Sequence, residues 1–257
     1  MSSKQIFGNI IAVATLVLSA LYSGGALSAE TVSADDPRTQ KKVEITVYPY
    51  LRSEPSPTIL LGHSCSGILR FDYDWAKEMN DWGYNVLIVD SYGPRGLKQD
   101  CDSQVPNKLV NSEQRAADAF AVARWAKSQP WNKGKVGYIG FSNGAWTALT
   151  ISNSVGGEAF GGIVAYYPAC YPDEYPNPKV PTQIHIGDQD DWTPAPNCEP
   201  YRKLKTVDMN LYPGATHAFD KNLPPRVNLG HSMRYDSQAT ATSKQKTKDF
   251  FLKYISN

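Results

Sequence analysis

The amino-acid sequence predicts an α/β fold, in which helices cover both faces of a mostly parallel sheet. Apolar strand patterns and helix patterns run in the order strand, helix, strand, helix, strand between residues 58 and 140. Residues 135–150 then join an apolar strand to a helix through a tight turn that contains two glycines. Because the composition of the 257 residues indicates neither disorder nor repeats, we expect one domain.

Each element is predicted from its apolar spacing and from the residues that end it. The predicted strands cover 43–48, 58–61, 85–90, 136–140, 159–167, 182–187 and 208–212. The predicted helices cover 71–81, 112–128, a run that begins at 145, a short stretch at 197–204, and 238–255. Alternation at 43–48 is typical of an edge strand. The polar residues 30–41 predict a flexible leader, so that the folded domain spans 42–257.

The first 29 residues read as a secretory signal peptide. Lys4 gives a basic start, residues 10–21 form an apolar core, and small residues follow near Ala29. The apolar core is shorter than the roughly 20 residues that a spanning helix needs, and no later stretch approaches that length. We therefore expect a secreted or periplasmic protein whose mature chain does not insert into a membrane. An uncleaved membrane anchor is the alternative.

The charge balance of the expected mature chain is neutral. Of the 26 basic residues only Lys4 precedes residue 30, which leaves 25 basic and 25 acidic residues. Nucleic acids and anionic membrane surfaces attract proteins with an excess of positive charge. The neutral balance therefore argues against either of them as a partner.

Four cysteines, Cys65, Cys101, Cys170 and Cys198, are expected to form disulfides in an exported chain. Three pairings are possible. We prefer Cys65 with Cys101 and Cys170 with Cys198, because each pair would join two loops at the edge of the sheet where the parallel strands end. The spacings fit no zinc pattern, so we expect no metal.

The turn at residues 140–144 reads G-F-S-N-G. A G-x-S-x-G sequence between a strand and a helix is the signature of a nucleophile elbow, in which a strained turn exposes the serine hydroxyl. The bare pattern also arises by chance, and the flanking strand and helix are what favour the elbow here. Gly140 and Gly144 would let the chain pass close to itself beside Ser142, while the backbone N–H of Asn143 would face an oxyanion.

Two further loops supply partners for Ser142. Acids at 188, 190 and 191 follow one predicted strand and His217 follows the next, which gives the order serine, acid, histidine expected for this architecture. We choose Asp190 as the acid, with Asp188 and Asp191 as alternatives. His217 would accept the serine proton, and the carboxylate would orient the imidazole.

The loop at 62–67 is rich in small residues and follows another strand. We expect the backbone N–H of Cys65 to be the second oxyanion donor. His63 precedes the serine and ends a strand, and His185 lies inside a strand, so both are interpreted as structural. Arg95 either braces its loop by pairing with an acid or contacts an anionic substrate, and bracing is favoured.

Three motifs, G-F-S-N-G, G-D-Q-D-D-W-T-P and Y-P-G-A-T-H-A-F, together resemble the dienelactone hydrolase family. The resemblance implies an α/β-hydrolase fold without a large cap domain, with Asp190 as the acid before Pro194, His217 as the base and Cys65 at the oxyanion hole. The chain departs from the family in two respects. Ser142 stands where dienelactone hydrolases proper have a cysteine, and Ser64 replaces a glutamate.

The resemblance and the residues together predict a serine hydrolase that cleaves a small carboxylic ester or lactone through an acyl-enzyme, without a metal or organic cofactor. Two alternatives stay open at this stage. The same three residues would serve a peptidase or amide hydrolase, and a catalytically inactive binding protein could retain the scaffold.

Overall fold

The computed structural model describes residues 28–101 and 110–256. These described residues form an eight-stranded sheet, a separate two-stranded hairpin and four α-helices. The strands of the sheet are β1 Glu30–Asp35, β2 Lys42–Tyr50, β3 Ser56–Gly62, β4 Asn85–Asp90, β5 Asn132–Phe141, β6 Phe160–Tyr166, β7 Thr182–Gly187 and β8 Val207–Tyr212; the hairpin strands are β9 Arg226–Asn228 and β10 His231–Met233. The helices are α1 Arg70–Asp81, α2 Ser112–Lys127, α3 Asn143–Asn153 and α4 Ser237–Ile255.

The sheet has the strand order β1-β2-β4-β3-β5-β6-β7-β8. All pairs from β4 to β8 along this order are parallel, while β1 and β2 are antiparallel to their neighbours. Parallel strands present their carboxyl ends at one edge, so the loops after β3, β5, β7 and β8 meet there. The predicted fold is confirmed, and the described residues carry no large cap.

Helices cover both faces of the sheet, as expected. Strand β5 illustrates why both faces need cover. Its residue Tyr138 belongs to the apolar cluster under α2 and α3, and the next residue, Ile139, belongs to the apolar cluster on the other face of the sheet. Val122 of α2 packs in the first cluster, and Trp75 of α1 and Phe251 of α4 pack in the second. Continuous apolar strands buried on both sides are what a parallel sheet of this kind requires.

The prediction of a flexible leader at 30–41 is wrong. Residues 30–35 form strand β1, which pairs with β2 in antiparallel register from Glu30 opposite Val47 to Asp35 opposite Lys42. The strand buries Val32 and Ala34, while the side chains between them are exposed. Two buried apolar residues in a polar segment are too few for a sequence pattern, and β1, not β2, is consequently the edge strand.

Asp36, immediately after β1, fixes this edge to the rest of the molecule. Its carboxylate accepts hydrogen bonds from the backbone N–H of Thr39, from Gln114 Nε2 at 2.8 Å and from Arg95 Nε at 3.0 Å. Arg95 also binds Asp118 through both terminal nitrogens. Arg95 therefore braces its loop, as favoured from the sequence, and does so by joining β1 to α2.

Two more elements differ from the sequence prediction. The short helix expected at 197–204 is a 3₁₀ helix at Ala195–Lys203 that contains Pro200. The hairpin of β9 and β10 was not predicted, because strands of three residues are too short to show an alternating pattern. This hairpin matters because it lies beside the loop that follows β7, where Ser232 N–H binds Asp191.

The two disulfides have the pairing preferred from the sequence, Cys65–Cys101 and Cys170–Cys198. The predicted signal peptide lies outside the described residues apart from its last two positions. Of the helices in the described chain, none combines the length and the apolar character needed to cross a bilayer.

The anchoring of β1 by Asp36 gives a prediction on stability. Asp36→Ala should lower the free energy of unfolding by about 2 kcal/mol, because hydrogen bonds to a buried charge are lost while Arg95 keeps Asp118. Asp35→Ala is the matched control, since Asp35 is an exposed partner of Lys42 and should cost about 0.5 kcal/mol or less. Urea unfolding of the three proteins measures both differences.

The difference in stability between wild type and Asp36→Ala depends on pH. Burial opposes ionisation of Asp36, but the hydrogen bonds from Thr39, Gln114 and Arg95 outweigh it and lower the pKa of the carboxyl from 3.8 to about 2. The stabilisation is therefore complete above pH 3.8 and is lost as the pH falls toward about 2. Equal stability of Asp36→Ala and wild type at neutral pH would contradict the anchoring role.

Candidate active site

Ser142 lies on a strained turn between β5 and α3. Its backbone has φ 54° and ψ −111°, a region that side chains with a Cβ rarely adopt. A Cβ on Gly140 would overlap the carbonyl of Gly144, and a Cβ on Gly144 would overlap the carbonyl of Gly62 at the end of β3. Glycine is therefore required on both sides of Ser142, as the sequence motif predicts.

The structure brings Ser142 together with two other residues that the sequence singled out. His217 Nε2 lies 3.0 Å from Ser142 Oγ, and His217 Nδ1 lies 2.8 Å from Asp190 Oδ2. Asp190 follows β7 and His217 follows β8, so the convergence results from the shared edge of the parallel strands. A row of hydroxyl, imidazole and carboxylate can activate the hydroxyl for nucleophilic attack.

Of the three candidate acids, only Asp190 contacts His217. Asp190 is 4% exposed, and its Oδ1 accepts hydrogen bonds from the backbone N–H groups of Trp192 and Thr193. Asp188 is exposed and accepts a hydrogen bond from the N–H of Gly214, so it shapes a turn. Asp191 is also exposed and pairs with the hairpin.

Thr193 is a member of the site that sequence reasoning missed. Its Oγ1 lies 2.9 Å from Asp190 Oδ2, 3.2 Å from His217 Nδ1 and 3.2 Å from the carbonyl oxygen of Tyr167. The hydroxyl thus bridges the carboxylate and the imidazole. The spacing D-x-x-T, which is common in turns where an aspartate binds the following backbone N–H groups, is the signal that could have identified it.

Aromatic rings hold the imidazole of His217 in place. The ring of Tyr167 lies 4.7 Å away in an edge-on arrangement, and the ring of Trp192 lies 5.1 Å away. Tyr167 is fixed in turn, because its hydroxyl donates to Asp220, which also accepts from Trp75 Nε1. Burial, with Asp220 nearby, raises the pKa of Tyr167 well above its ordinary value, so the phenol stays protonated as the donor.

Of the two residues expected to supply oxyanion donors, Asn143 directly follows Ser142 in the chain and Cys65 lines the same cavity as Ser142. Asn143 is the first residue of α3, and Cys65 lies in the loop after β3. Within the described residues, the backbone N–H groups of Cys65 and Asn143 have no hydrogen-bond acceptor. Unpaired N–H groups at such positions are available to a negatively charged oxygen.

A narrow cavity of about 40 Å³ opens at Ser142. Its walls include Cys65, Ser142, His217 and the hairpin residue Met233. Lys221 and Arg226 also line it and are shared with a neighbouring cavity of about 480 Å³. The site therefore has one small chamber beside the hydroxyl and a larger one beyond the two cations.

His63 and His185, the two histidines interpreted as structural, are fully buried. Neither belongs to the row of Ser142, His217 and Asp190. His185 contacts Tyr212 and Gln183, and burial lowers its pKa to about 3. His63 Nδ1 lies 2.7 Å from the carbonyl of Ser64, and burial, followed by the charge of Arg115, lowers its pKa well below the usual range. Neither is in a position to take the Ser142 proton.

The described chain covers residues 28–101 and 110–256. It holds no group of three or more His, Cys, Asp or Glu side chains that could ligate a metal ion.

The match to the sequence model of the dienelactone hydrolase family covers residues 45–255. The chain belongs to the dienelactone hydrolase family. This assignment agrees with the resemblance carried by the three sequence motifs, and membership supports hydrolase activity on a small-molecule substrate.

Two similar proteins match the chain along most of their own length. The chain is 24% identical over 213 residues to the carboxymethylenebutenolidase of Pseudomonas putida, a match that covers 76% of this chain and 85% of that protein. A solved dienelactone hydrolase-like promiscuous phosphotriesterase from metagenomic libraries is similar with a TM-score of 0.68 and 19% identity, over 90% of this chain and all of that one (100%).

The dienelactone hydrolase of Anabaena variabilis is similar with a TM-score of 0.64 and 18% identity, over 90% of this chain and 99% of that one. At these identities the two structural matches establish the fold alone.

The strained turn of this dienelactone hydrolase family member gives a stability prediction. Ser142→Gly should be more stable than Ser142→Ala by about 1 kcal/mol, because glycine adopts a positive φ without strain and alanine does not. Both variants lack the hydroxyl, so the comparison isolates the backbone. Chemical unfolding measures the difference, and a glycine variant less stable than the alanine variant would contradict the assignment of strain to this turn.

Proposed function

We propose that the protein is a serine hydrolase that cleaves carboxylic esters or lactones through an acyl-enzyme on Ser142. The observation that carries the proposal is the continuous row from Ser142 Oγ through His217 to Asp190, with separations of 3.0 and 2.8 Å. Family membership supports the hydrolase class, and the serine chemistry rests on this row.

In the proposed first step, His217 Nε2 accepts the Ser142 proton while Oγ attacks the carbonyl carbon of the substrate. The carbonyl oxygen becomes an oxyanion, and the backbone N–H groups of Cys65 and Asn143 donate to it. Collapse of the tetrahedral intermediate breaks the bond to the alcohol oxygen, which takes the proton from His217. Water then repeats the sequence on the acyl-enzyme and releases the acid.

The carboxylate of Asp190 has two proposed roles. It holds the proton of His217 on Nδ1, which leaves Nε2 free to accept the serine proton, and it stabilises the imidazolium that follows. Thr193 supports both roles, because its hydroxyl contacts Asp190 Oδ2 and fixes the carboxylate. Both His217 and Asp190 are almost fully buried, which strengthens the interaction between their charges.

The substrate is proposed to be a small molecule. The narrow chamber at Ser142 favours a short acyl group in contact with the hydroxyl, and the adjoining larger cavity offers room for the remainder. The two disulfides support a secreted or periplasmic location, since disulfides persist in oxidising compartments. The following experiment distinguishes this proposal from its two alternatives, an amidase and an inactive scaffold.

Ser142→Ala and His217→Ala should each lower turnover of p-nitrophenyl esters by about 10⁶-fold, because the two side chains act as a unit. Ser128→Ala is the matched control. Ser128 lies at the end of α2 on the exposed surface, so its loss should leave turnover unchanged. Steady-state kinetics on the mature protein, with an ester panel and the matching amides, measures these effects.

Retention of esterase activity by Ser142→Ala would refute the proposed nucleophile. Turnover of amides but not esters would favour the peptidase alternative. Absence of turnover from every ester and amide in the panel would favour the inactive scaffold.

A further inference from the structure

Arg115 is a buried guanidinium in the first turns of α2. It is 2% exposed. The ion pairs formed by residues 28–101 and 110–256 do not include it, and Asp118, one turn further along α2, is bound by Arg95 instead. A buried charge without a carboxylate partner is costly, so its hydrogen bonds require an explanation.

The guanidinium of Arg115 binds two oxygen atoms from different parts of the chain. Nη2 donates to the backbone carbonyl of His63 at 2.5 Å, and Nη1 donates to Oδ1 of Asn143. The group also lies over the ring of Tyr92, 5.2 Å from its centroid. The rigid fork of donors in an arginine makes such a two-point contact geometrically specific.

These two acceptors belong to the segments that carry the proposed oxyanion donors. His63 lies two residues before Cys65 in the loop after β3, and Asn143 directly follows Ser142 at the start of α3. Neither disulfide of the described chain joins these two segments to each other. The guanidinium therefore links the two segments that form the proposed oxyanion hole, one at residue 63 and the other at residue 143.

We propose that Arg115 is a positioning residue of the oxyanion hole, whose guanidinium sets the separation and direction of the N–H groups of Cys65 and Asn143. The inference rests on the proposed function. Arg115 does not line the cavity at Ser142, so it acts through His63 and Asn143 and not by touching the substrate. Its positive charge behind the hole also favours negative charge on the reacting oxygen.

The rings of His63 and Tyr92, which neighbour Arg115, carry no charge of their own. Burial first, and the charge of Arg115 second, lower the pKa of the adjacent His63 well below its usual range, so His63 is neutral. Tyr92 is also neutral, because burial raises the pKa of its phenol. The guanidinium of Arg115 therefore adds positive charge behind the oxyanion hole, while Lys221 and Arg226 lie on the wall of the cavity itself.

The test compares Arg115→Lys and Arg115→Met with wild type and with Arg124→Met. Arg124 lies on the same helix but is exposed, so its loss should leave kinetics unchanged. Three quantities are measured: kcat and KM for p-nitrophenyl acetate, and Ki for a trifluoromethyl ketone, which forms a tetrahedral adduct with a serine hydroxyl. Thermal melting of each variant reports on folding.

Loss of a positioned oxyanion donor costs about 100-fold in turnover. Arg115→Met should therefore lower kcat by about 100-fold with little change in KM, and should raise Ki for the ketone by a similar factor. Arg115→Lys should recover only part of the loss, because an ammonium keeps the charge but does not reproduce the planar fork. A role confined to folding would lower the melting temperature without this separation of kcat from KM.

Wild-type kcat and Ki in Arg115→Lys would overturn the inference, as would equal losses in Arg124→Met. If Arg115→Met does not fold, Arg115→Lys alone decides between the outcomes. The proposed function fails separately, and the inference with it, if wild type does not hydrolyse the ester or if hydrolysis survives Ser142→Ala.

Discussion

The close approach of two backbone segments at the ends of β3 and β5 is the constraint on which the site depends. The turn at Ser142 passes so near the carbonyl of Gly62 that only glycine fits at 144. This contact brings the loop after β3 beside the first residue of α3, which creates the proposed oxyanion hole. It also forces Ser142 to a positive φ, and so exposes the hydroxyl above the edge of the sheet.

A second set of contacts supports the imidazole from behind. Asp220 holds Tyr167, Tyr167 packs against His217, and Thr193 joins His217 to Asp190. The loops after β6, β7 and β8 thus reinforce one another through side chains as well as through the sheet. Preorganisation of this kind lets polar groups stabilise developing charge without first having to rearrange.

Features that depend on a short stretch of sequence could be predicted. Features that depend on contacts between residues far apart in the chain could not. The G-x-S-x-G turn, the Asp190 and His217 loops and the parallel order could be predicted because each is a short pattern beside a strand. Strand β1 could not, because its pairing with β2 and the burial of Asp36 against α2 are long-range. Arg115 could be predicted only as part of a helix, because its two acceptors lie 52 and 28 residues away in the chain.

The proposed mechanism depends most on Ser142 being the activated nucleophile. The direct measurement is peptide-level mass spectrometry of the protein after inactivation by a fluorophosphonate. We expect a single covalent adduct, located on Ser142, whose formation parallels the loss of activity. Inactivation with the adduct on another residue, or an active enzyme on which no adduct forms, would contradict it.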